Sequence, residues 1–331
     1  MKKIYFTPLI YAIFLFLASC SDYFYNFSGY TWGTTYNIRY RADNRLDDSI
    51  TGAMQLIDSS LSMFNPFSTV ARINAGSDMT ADSMLAEVLD LSRLVHRASN
   101  GAFDPTVGPL VELWGFGTHG EQSAPDSVAV AAALARVGLD KCHIAGGRIE
   151  MASDSMRLDF SAIAKGYGVD LVARVLQRNG CSDYMVEIGG EINARGLNPQ
   201  GQPWRIQIDA PLTDVDGLTA HDRLMVVELR DAAMATSGNY RNYRDMPDGK
   251  RIGHTISAAT GYPVATSTLS VTVVAPECAL ADALATAAMA MPYPEARAMV
   301  DSMPDVEALF VIDSPEGMQT VTTDGFPAPA I

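Results

Sequence analysis

The chain is poor in two kinds of residue, and each shortage excludes classes of function. Cysteine is rare: the 331 residues contain four, and none has the Cys-x-x-Cys spacing typical of zinc sites and thioredoxin-like centres. Basic residues are few and scattered, with 24 Lys and Arg against 38 Asp and Glu, which argues against nucleic acid as the main partner. Since the formal net charge is −14, a phosphorylated ligand would need local help from a metal ion or from backbone N–H groups.

The N-terminus predicts an exported lipoprotein. Lys2 and Lys3 precede an apolar run over residues 9–17, which is too short for a stable membrane span and is typical of a signal peptide. The run leads into Cys20 through small residues that resemble a bacterial lipoprotein cleavage box. We therefore expect a signal peptide over 1–19, lipidation at Cys20, a tether over 20–28 and one domain over 29–331, anchored at the extracytoplasmic or periplasmic face of a bacterial cell membrane. The alternative is an ordinary secretory signal with an incidental cysteine.

The other cysteines are Cys142, Cys181 and Cys278. With Cys20 lipidated they are odd in number, so at most one disulfide can form. We predict that all three are small apolar packing residues.

Hydrophobic periodicity predicts an α+β fold with mainly antiparallel sheet. Helical spacing occurs at residues 47–63, 82–99, 126–137, 162–179, 277–291 and 294–302. Strand-like segments lie at 30–41, 156–160, 184–196, 204–209, 224–229, 252–257, 268–274 and 306–313. Because the strands come in neighbouring groups, without steady alternation with helices, antiparallel pairing in one compact unit is favoured.

Residues 158–168 contain the most informative pattern. A strand ends on Asp159, small residues turn the chain, and a helix begins. The unpaired N–H groups of a helix N-terminus favour an anion, whereas Lys165 is unfavourable for the dipole in the first turn. Its position there suggests a ligand such as phosphate. The alternative is a capped helix with a solvated lysine.

A second pattern places Asp282 four residues before Thr286, so both oxygens project from one helix face. Their neighbours are almost all Ala or Leu, and an unpaired carboxylate is costly to bury there. A hard cation such as Mg²⁺ would satisfy it with protein, phosphate and water oxygens. The alternative is that Asp282 pairs with Arg or Lys and Thr286 bonds to its own helix.

Several weaker signals complete the candidate site. His254 on a strand before a Thr-Gly turn is a candidate general base, although a single histidine is more often structural. The Gly189-Gly190 pair permits close approach of the backbone to a ligand, but it also marks bulges. Four aromatic residues have the character to stack on a planar ring, although isolated aromatics are more often part of the core: Tyr36, Phe64, Phe103 and Trp114.

Together these segments resemble the ApbE family of FAD:protein FMN transferases. The resemblance covers residues 30–310, and its motifs occur in the family's order at 33–36, 62–68, 101–117, 159–168, 187–191, 235–238, 254–263 and 281–286. It implies an ApbE-like α+β unit that uses Mg²⁺ to cleave FAD, passes FMN to a Thr or Ser hydroxyl of a target protein, and releases AMP.

The resemblance also assigns residues to roles. It places Mg²⁺ on the Asp282 carboxylate, the Thr286 hydroxyl and the Ala162 carbonyl, and it leaves His254 as the candidate base. It implies FAD contacts at Phe64, Ala102, Phe103, Asp104, Asp159, Lys165 and Ile256, with Gly189 and Gly190 near the flavin half. The implied acceptors are flavin-carrying subunits of membrane redox complexes, of the Rnf or sodium-pumping NADH:quinone oxidoreductase type.

Two positions depart from the family's pattern. Trp32 replaces a usual Met before the Gly-Thr-Thr, and Ser257-Ala258 replaces a usual Asp-Pro after the histidine segment. The second change removes a carboxylate close to His254 and keeps a non-catalytic flavin-binding lipoprotein as an alternative function. An FAD pyrophosphatase is a further alternative, because the same metal site would serve water as the nucleophile. The segment 256–260 also resembles a flavin acceptor sequence, which suggests the hypothesis that Thr260 is self-flavinylated.

Overall fold

The computed structural model describes residues 23–117, 124–211, 222–238, 243–245 and 251–330. The expected signal peptide and Cys20 lie outside these residues. The strands are β1 (Phe24–Thr31), β2 (Thr34–Arg41), β3 (Cys142–Ala145), β4 (Arg148–Met151), β5 (Tyr184–Ile188), β6 (Glu191–Arg195), β7 (Trp204–Asp209), β8 (Arg223–Leu229), β9 (Ala232–Gly238), β10 (Tyr243–Asp245), β11 (Arg251–Gly253), β12 (Thr268–Ala275), β13 (Glu307–Ser314) and β14 (Gly317–Thr322). The helices are α1 (Asp47–Leu61), α2 (Thr69–Asn74), α3 (Ser83–Ala98), α4 (Gly108–Leu113), α5 (Ser127–Leu134), α6 (Ala164–Arg178), α7 (Cys278–Met289) and α8 (Tyr293–Asp301).

One eight-stranded sheet organises the fold, in the order β1-β2-β5-β6-β9-β12-β13-β14. Every neighbouring pair in it is antiparallel. The pairs β3–β4, β7–β8 and β10–β11 form separate two-stranded ribbons. The prediction of an α+β unit with mainly antiparallel sheet is confirmed.

The sheet is covered on both faces because its strands alternate apolar side chains between them. On one face, Val186 and Ile188 of β5 pack with Val169 and Val172 of α6. On the other face, Trp204 of β7 packs in a cluster with residues of β6, β9 and β13. None of the helices formed by the described residues has the length and apolar character needed to span a membrane.

The three described cysteines are buried and unpaired, as predicted. Burial raises the pKa of the Cys142 thiol to about 11, so this thiol stays protonated near neutral pH. Cys278, at the start of α7, points its sulfur toward the Met234 carbonyl at 3.9 Å.

The structure corrects three predicted strand segments. The segment 30–41 is not one strand but the end of β1, a turn and β2, because Trp32 and Gly33 both adopt positive φ, at 48° and 77°. Since β1 begins at Phe24, ordered structure reaches into the predicted tether. The segment 156–160 forms a single bridge at Arg157 but no strand, and only 252–253 of the segment 252–257 belong to a strand.

Helices α6 and α7 cross in close contact at Gly166. A Cβ atom placed there would lie 2.8 Å from the Asp282 Cβ and would also collide with the Cys278 carbonyl oxygen. The crossing therefore requires glycine for its lack of a side chain. Trp32 makes another close contact two residues further along α6, since its Cζ3 atom lies 2.8 Å from the position of a Cβ on Gly168.

Gly166→Ala should destabilise the protein by about 1–3 kcal/mol, because the two helices must separate to admit the methyl group. Urea unfolding of the purified variant measures this loss. Gly52→Ala is the matched control: Gly52 lies inside α1 with no atom within 4 Å of its Cβ position. It should raise stability by about 0.5–1 kcal/mol through helix propensity. Equal effects of the two substitutions would contradict the close crossing.

Candidate active site

The predicted Asp282–Thr286 pair faces the start of α6 and strand β9. The Asp282 side chain is 4% exposed, and its Oδ2 accepts the Gly166 N–H at 3.0 Å. Its Oδ1 has no hydrogen-bond partner among the described residues. The Thr286 hydroxyl lies 3.1 Å from the Ser237 hydroxyl of β9. Neither alternative from the sequence holds, because Asp282 forms no ion pair within the described chain and Thr286 bonds across to the sheet.

The turn before α6 leaves the Ala162 carbonyl available to a ligand. The Gly166 N–H, which would ordinarily close the first helical turn on that oxygen, bonds to Asp282 instead. No other backbone N–H of the described residues donates to it. One carboxylate, one hydroxyl and one carbonyl are hard oxygen donors of the kind that Mg²⁺ prefers, so the residues present fit this ion.

This donor set differs from the common arrangement of several acidic or imidazole ligands. Within the described ranges, no group of three or more His, Cys, Asp and Glu side chains is gathered to hold a metal. A magnesium ion keeps several waters and takes oxygens from a substrate phosphate, so one carboxylate is compatible with it.

Lys165 forms an ion pair with Glu191, the first residue of β6. Although burial works to lower it, the carboxylates of Glu191 and Asp282 raise the pKa of Lys165, so the ammonium stays charged. Burial also raises the pKa of Glu191, with Asp282 adding to the effect and Lys165 opposing it. The lysine is therefore paired with a buried carboxylate, and Glu191 is a site residue that the sequence alone did not indicate.

Asp170 of α6 caps the start of α7, although the two are far apart in the sequence. Its two carboxylate oxygens accept the N–H groups of Cys278 and Ala279 at 2.9 and 2.8 Å. Asn193 donates to the same carboxylate at 2.8 Å. Burial raises the pKa of Asp170 to about 6 although these donors oppose the shift. The side chain of the N-cap residue of α7 forms no capping hydrogen bond with the described residues, so Asp170 acts as the cap of this helix. By holding the start of α7, Asp170 also positions Asp282 one turn further along.

The second half of the site contains His254. The Trp114 indole N–H donates to the Gly261 carbonyl at 2.8 Å and ties the segment after α4 to the segment that follows β11. Ile256 is buried in the same apolar cluster. The His254 ring stands edge-on to Phe116 with centroids 6.4 Å apart.

Asp159 connects the two halves. Burial raises its pKa, whereas hydrogen bonds from Ser161 and the nearby His254 act to lower it. The histidine thus has a carboxylate in its surroundings even though Ser257-Ala258 replaces the usual Asp-Pro. The Asp159 backbone N–H donates to the Pro105 carbonyl at 2.7 Å, which joins the turn before α6 to the loop after α3.

The predicted FAD contacts in the loop after α3 have structural roles. Phe103 is a core residue, and its carbonyl oxygen lies 2.8 Å from His96 Nδ1. The Asp104 carboxylate accepts the N–H and hydroxyl of Thr106 and the N–H of Leu139. Ala102 is half-buried beside this loop. Their contacts with FAD stay a prediction.

Phe64 and the Gly189-Gly190 pair lie on two separate connections between elements. The Phe64 ring is 72% exposed on the loop between α1 and α2. Gly189 and Gly190 form the β5–β6 turn with φ of 64° and 96°, and they line a cavity of about 280 Å³ on the far face of the sheet. Contacts of these residues with FAD likewise stay predictions.

Comparison with solved structures gives the class of protein that this fold defines. The fold matches that of the flavin transferase ApbE from Vibrio cholerae with a TM-score of 0.82 and 33% sequence identity, over 92% of this chain and 98% of that one. It matches the apo form of the flavinyl transferase ApbE from Pseudomonas stutzeri with a TM-score of 0.81 and 34% identity, over 92% and 96% of the two chains. The fold is therefore that of the flavin transferases.

Sequence comparison then gives the family. The ApbE family model matches residues 32–310. The chain is 35% identical over 309 residues to the FAD:protein FMN transferase of Vibrio cholerae serotype O1 (strain ATCC 39541 / Classical Ogawa 395 / O395), covering 90% of each. It is 32% identical over 263 residues to that of Escherichia coli (strain K12), covering 77% of this chain and 73% of the other. The chain belongs to the ApbE family.

Asp170→Asn should destabilise the protein by about 1–3 kcal/mol, because an amide offers one acceptor oxygen for two N–H groups and turns a donor toward the second. Urea unfolding near pH 8 measures the loss. Asp126→Asn is the matched control, since Asp126 is an exposed N-cap of α5 whose one hydrogen bond to the described residues is from the Ala129 N–H at 2.8 Å. It should change stability by less than about 0.5 kcal/mol. Similar losses in both variants would refute the special role of Asp170.

Proposed function

We propose that this chain is an FAD:protein FMN transferase that uses Mg²⁺. It moves FMN from FAD to a Thr or Ser hydroxyl of a target protein through a phosphoester bond and releases AMP. The observation that carries the proposal is the group of oxygens from Ala162, Asp282 and Thr286 beside the Lys165 ammonium, in a chain of the ApbE family. This group is suited to a diphosphate and a hard cation.

The proposed reaction is a displacement at phosphorus. The acceptor hydroxyl oxygen bonds to the phosphorus of the FMN half, and the bond from that phosphorus to the oxygen bridging to AMP breaks. The hydroxyl proton passes to a base, and the electron pair of the broken bond leaves with AMP. When bound, Mg²⁺ supplies positive charge to the diphosphate and its developing negative charge.

The chain's own residues supply position and charge. Asp282, Thr286 and the Ala162 carbonyl hold the cation, and Lys165 contributes a charged ammonium at the same end of α6. His254 is the proposed base, because a hydroxyl is a weak nucleophile until its proton is taken. The neighbouring Asp159 carboxylate favours the charged imidazolium that proton transfer produces.

The same residues would serve water as the nucleophile, which would make the protein an FAD pyrophosphatase. Incubation with FAD and Mg²⁺, with and without an acceptor fragment, separates the functions by mass spectrometry. Transfer predicts an acceptor that gains FMN together with AMP release. Free FMN in both samples identifies hydrolysis, tight FAD binding without turnover identifies a flavin-binding protein, and FMN on the chain itself identifies modification at a residue such as Thr260.

The location and acceptors follow from the N-terminal sequence and the resemblance to the family. We propose a protein anchored by lipid on Cys20 at the extracytoplasmic or periplasmic face of the cell membrane. Subunits of Rnf-type or sodium-pumping NADH:quinone oxidoreductase complexes are the proposed acceptors there. The domain over 29–331 is proposed to contain the whole transferase.

Asp282→Asn should lower FMN transfer by on the order of a hundredfold or more, because it removes the negative charge that holds the cation while preserving side-chain size. Initial rates with FAD, Mg²⁺ and an acceptor fragment measure the effect. The control is Asp301→Asn in α8, where the carboxylate is bound to Arg297 at 2.8 Å. Full transfer activity in the Asp282 variant would overturn the metal assignment.

His254→Gln should slow transfer by roughly 10²–10⁴-fold and leave FAD affinity within about twofold, because the base acts in the reaction step. Single-turnover rates and an FAD titration separate the two quantities. His143→Gln is the control, as this half-exposed histidine lies 3.1 Å from Glu150 on the β3–β4 ribbon. A large loss of FAD affinity with an unchanged rate would assign His254 to binding instead.

A further inference from the structure

Glu191 is a buried carboxylate whose hydrogen bonding is only half complete. The residue is 3% exposed, and its Oε1 is paired with the Lys165 ammonium. Its Oε2 is buried with no hydrogen-bond partner in the described chain. That oxygen lies 3.4 Å from the position of a Cβ on Gly189. Such an arrangement opposes folding, because a buried charged oxygen loses its hydration without gaining a bond.

The charges around Glu191 explain what the carboxylate does. Glu191 is paired with the Lys165 ammonium, and the Asp282 carboxylate interacts electrostatically with both groups. With all three charged, the cluster carries one net negative charge before any ligand binds. A cluster of this sign attracts a divalent cation and repels a diphosphate.

We propose that Glu191 makes binding of the anionic nucleotide conditional on the divalent cation. Without the cation, its carboxylate cancels the Lys165 charge, and the site has no net attraction for a diphosphate. A divalent cation reverses the net charge of the cluster. Glu191 is in this view a positioning and selectivity residue that acts through Lys165. The inference rests on the proposed function to the extent that the nucleotide is FAD.

The proposal predicts opposite effects of two substitutions. Glu191→Gln makes the cluster neutral, so it should tighten FAD binding in EDTA and weaken binding of a divalent cation in the absence of FAD. Lys165→Met makes the cluster more negative, so it should change both affinities in the opposite directions. If Glu191 only supported the fold, its loss would weaken both kinds of binding.

The experiment measures two equilibria that need no turnover. Flavin fluorescence polarisation in EDTA gives the FAD affinity, and electron paramagnetic resonance of free Mn²⁺ gives the metal affinity without nucleotide. For Glu191→Gln we expect about a tenfold gain in the first and about a tenfold loss in the second. An unchanged or weaker FAD affinity in EDTA would overturn the proposal.

Two further measurements keep the outcome unambiguous. Thermal unfolding should show Glu191→Gln to be at least as stable as the unsubstituted protein, since Lys165 is 37% exposed and can reach water. Glu191→Asp retains the charge, so it should preserve the dependence of FAD binding on the cation even if packing suffers; loss of that dependence would count against the proposal. A protein that binds no FAD even with Mg²⁺ would instead contradict the proposed function.

Discussion

The whole site depends on an exchange of caps between two helices. Asp282 of α7 accepts an N–H from the first turn of α6, and Asp170 of α6 accepts the first two N–H groups of α7. Neither helix has a side-chain cap from its own N-cap residue. Each carboxylate therefore accepts hydrogen bonds from N–H groups that the partner helix leaves unpaired. Its negative charge is also stabilised by the positive end of that helix's dipole. Together with the contact at Gly166, these bonds fix the rotation and spacing of both helices.

The sequence showed the helices but not this exchange. Periodicity located α6 and α7 and put Asp282 and Thr286 on one face, because spacing of four residues is a local property. The pairing of Asp170 with Cys278 spans 108 positions, and a single chain gives no local sign of it. Glu191 was missed as a site residue for the same reason, since a Glu after two glycines has an ordinary place in a strand. The β1–β2 turn was missed because a Trp at positive φ lacks the usual turn composition.

The fold also explains why Lys165 is part of a site and is not simply a solvated lysine at a helix start. Lys165 in a first helical turn is disfavoured by the dipole, and the structure compensates with Glu191 from a neighbouring strand. Asp159 precedes the turn into α6 and interacts electrostatically with His254. The chain from Asp159 to Gly166 thus joins the surroundings of the proposed base to the proposed cation ligands over a short stretch of backbone. Changes in the spacing of that stretch would separate the two chemical functions.

An acidic chain that handles a diphosphate has to solve a problem of charge. With 38 acidic and 24 basic residues, long-range attraction favours cations over nucleotides. A basic patch would attract many phosphorylated ligands, whereas in the proposed site the single lysine is paired with Glu191 and a divalent ion would set the net charge. In this proposal, the choice between a cation and a diphosphate depends on a few charged side chains in the site. The two carboxylates among them are buried, so solvent screens their charges only weakly. The Oε2 atom of Glu191 is buried without a hydrogen bond to any described residue, which lowers the stability of the fold. Functional sites often keep such unfavourable groups, so this atom is consistent with a role for Glu191 in the site.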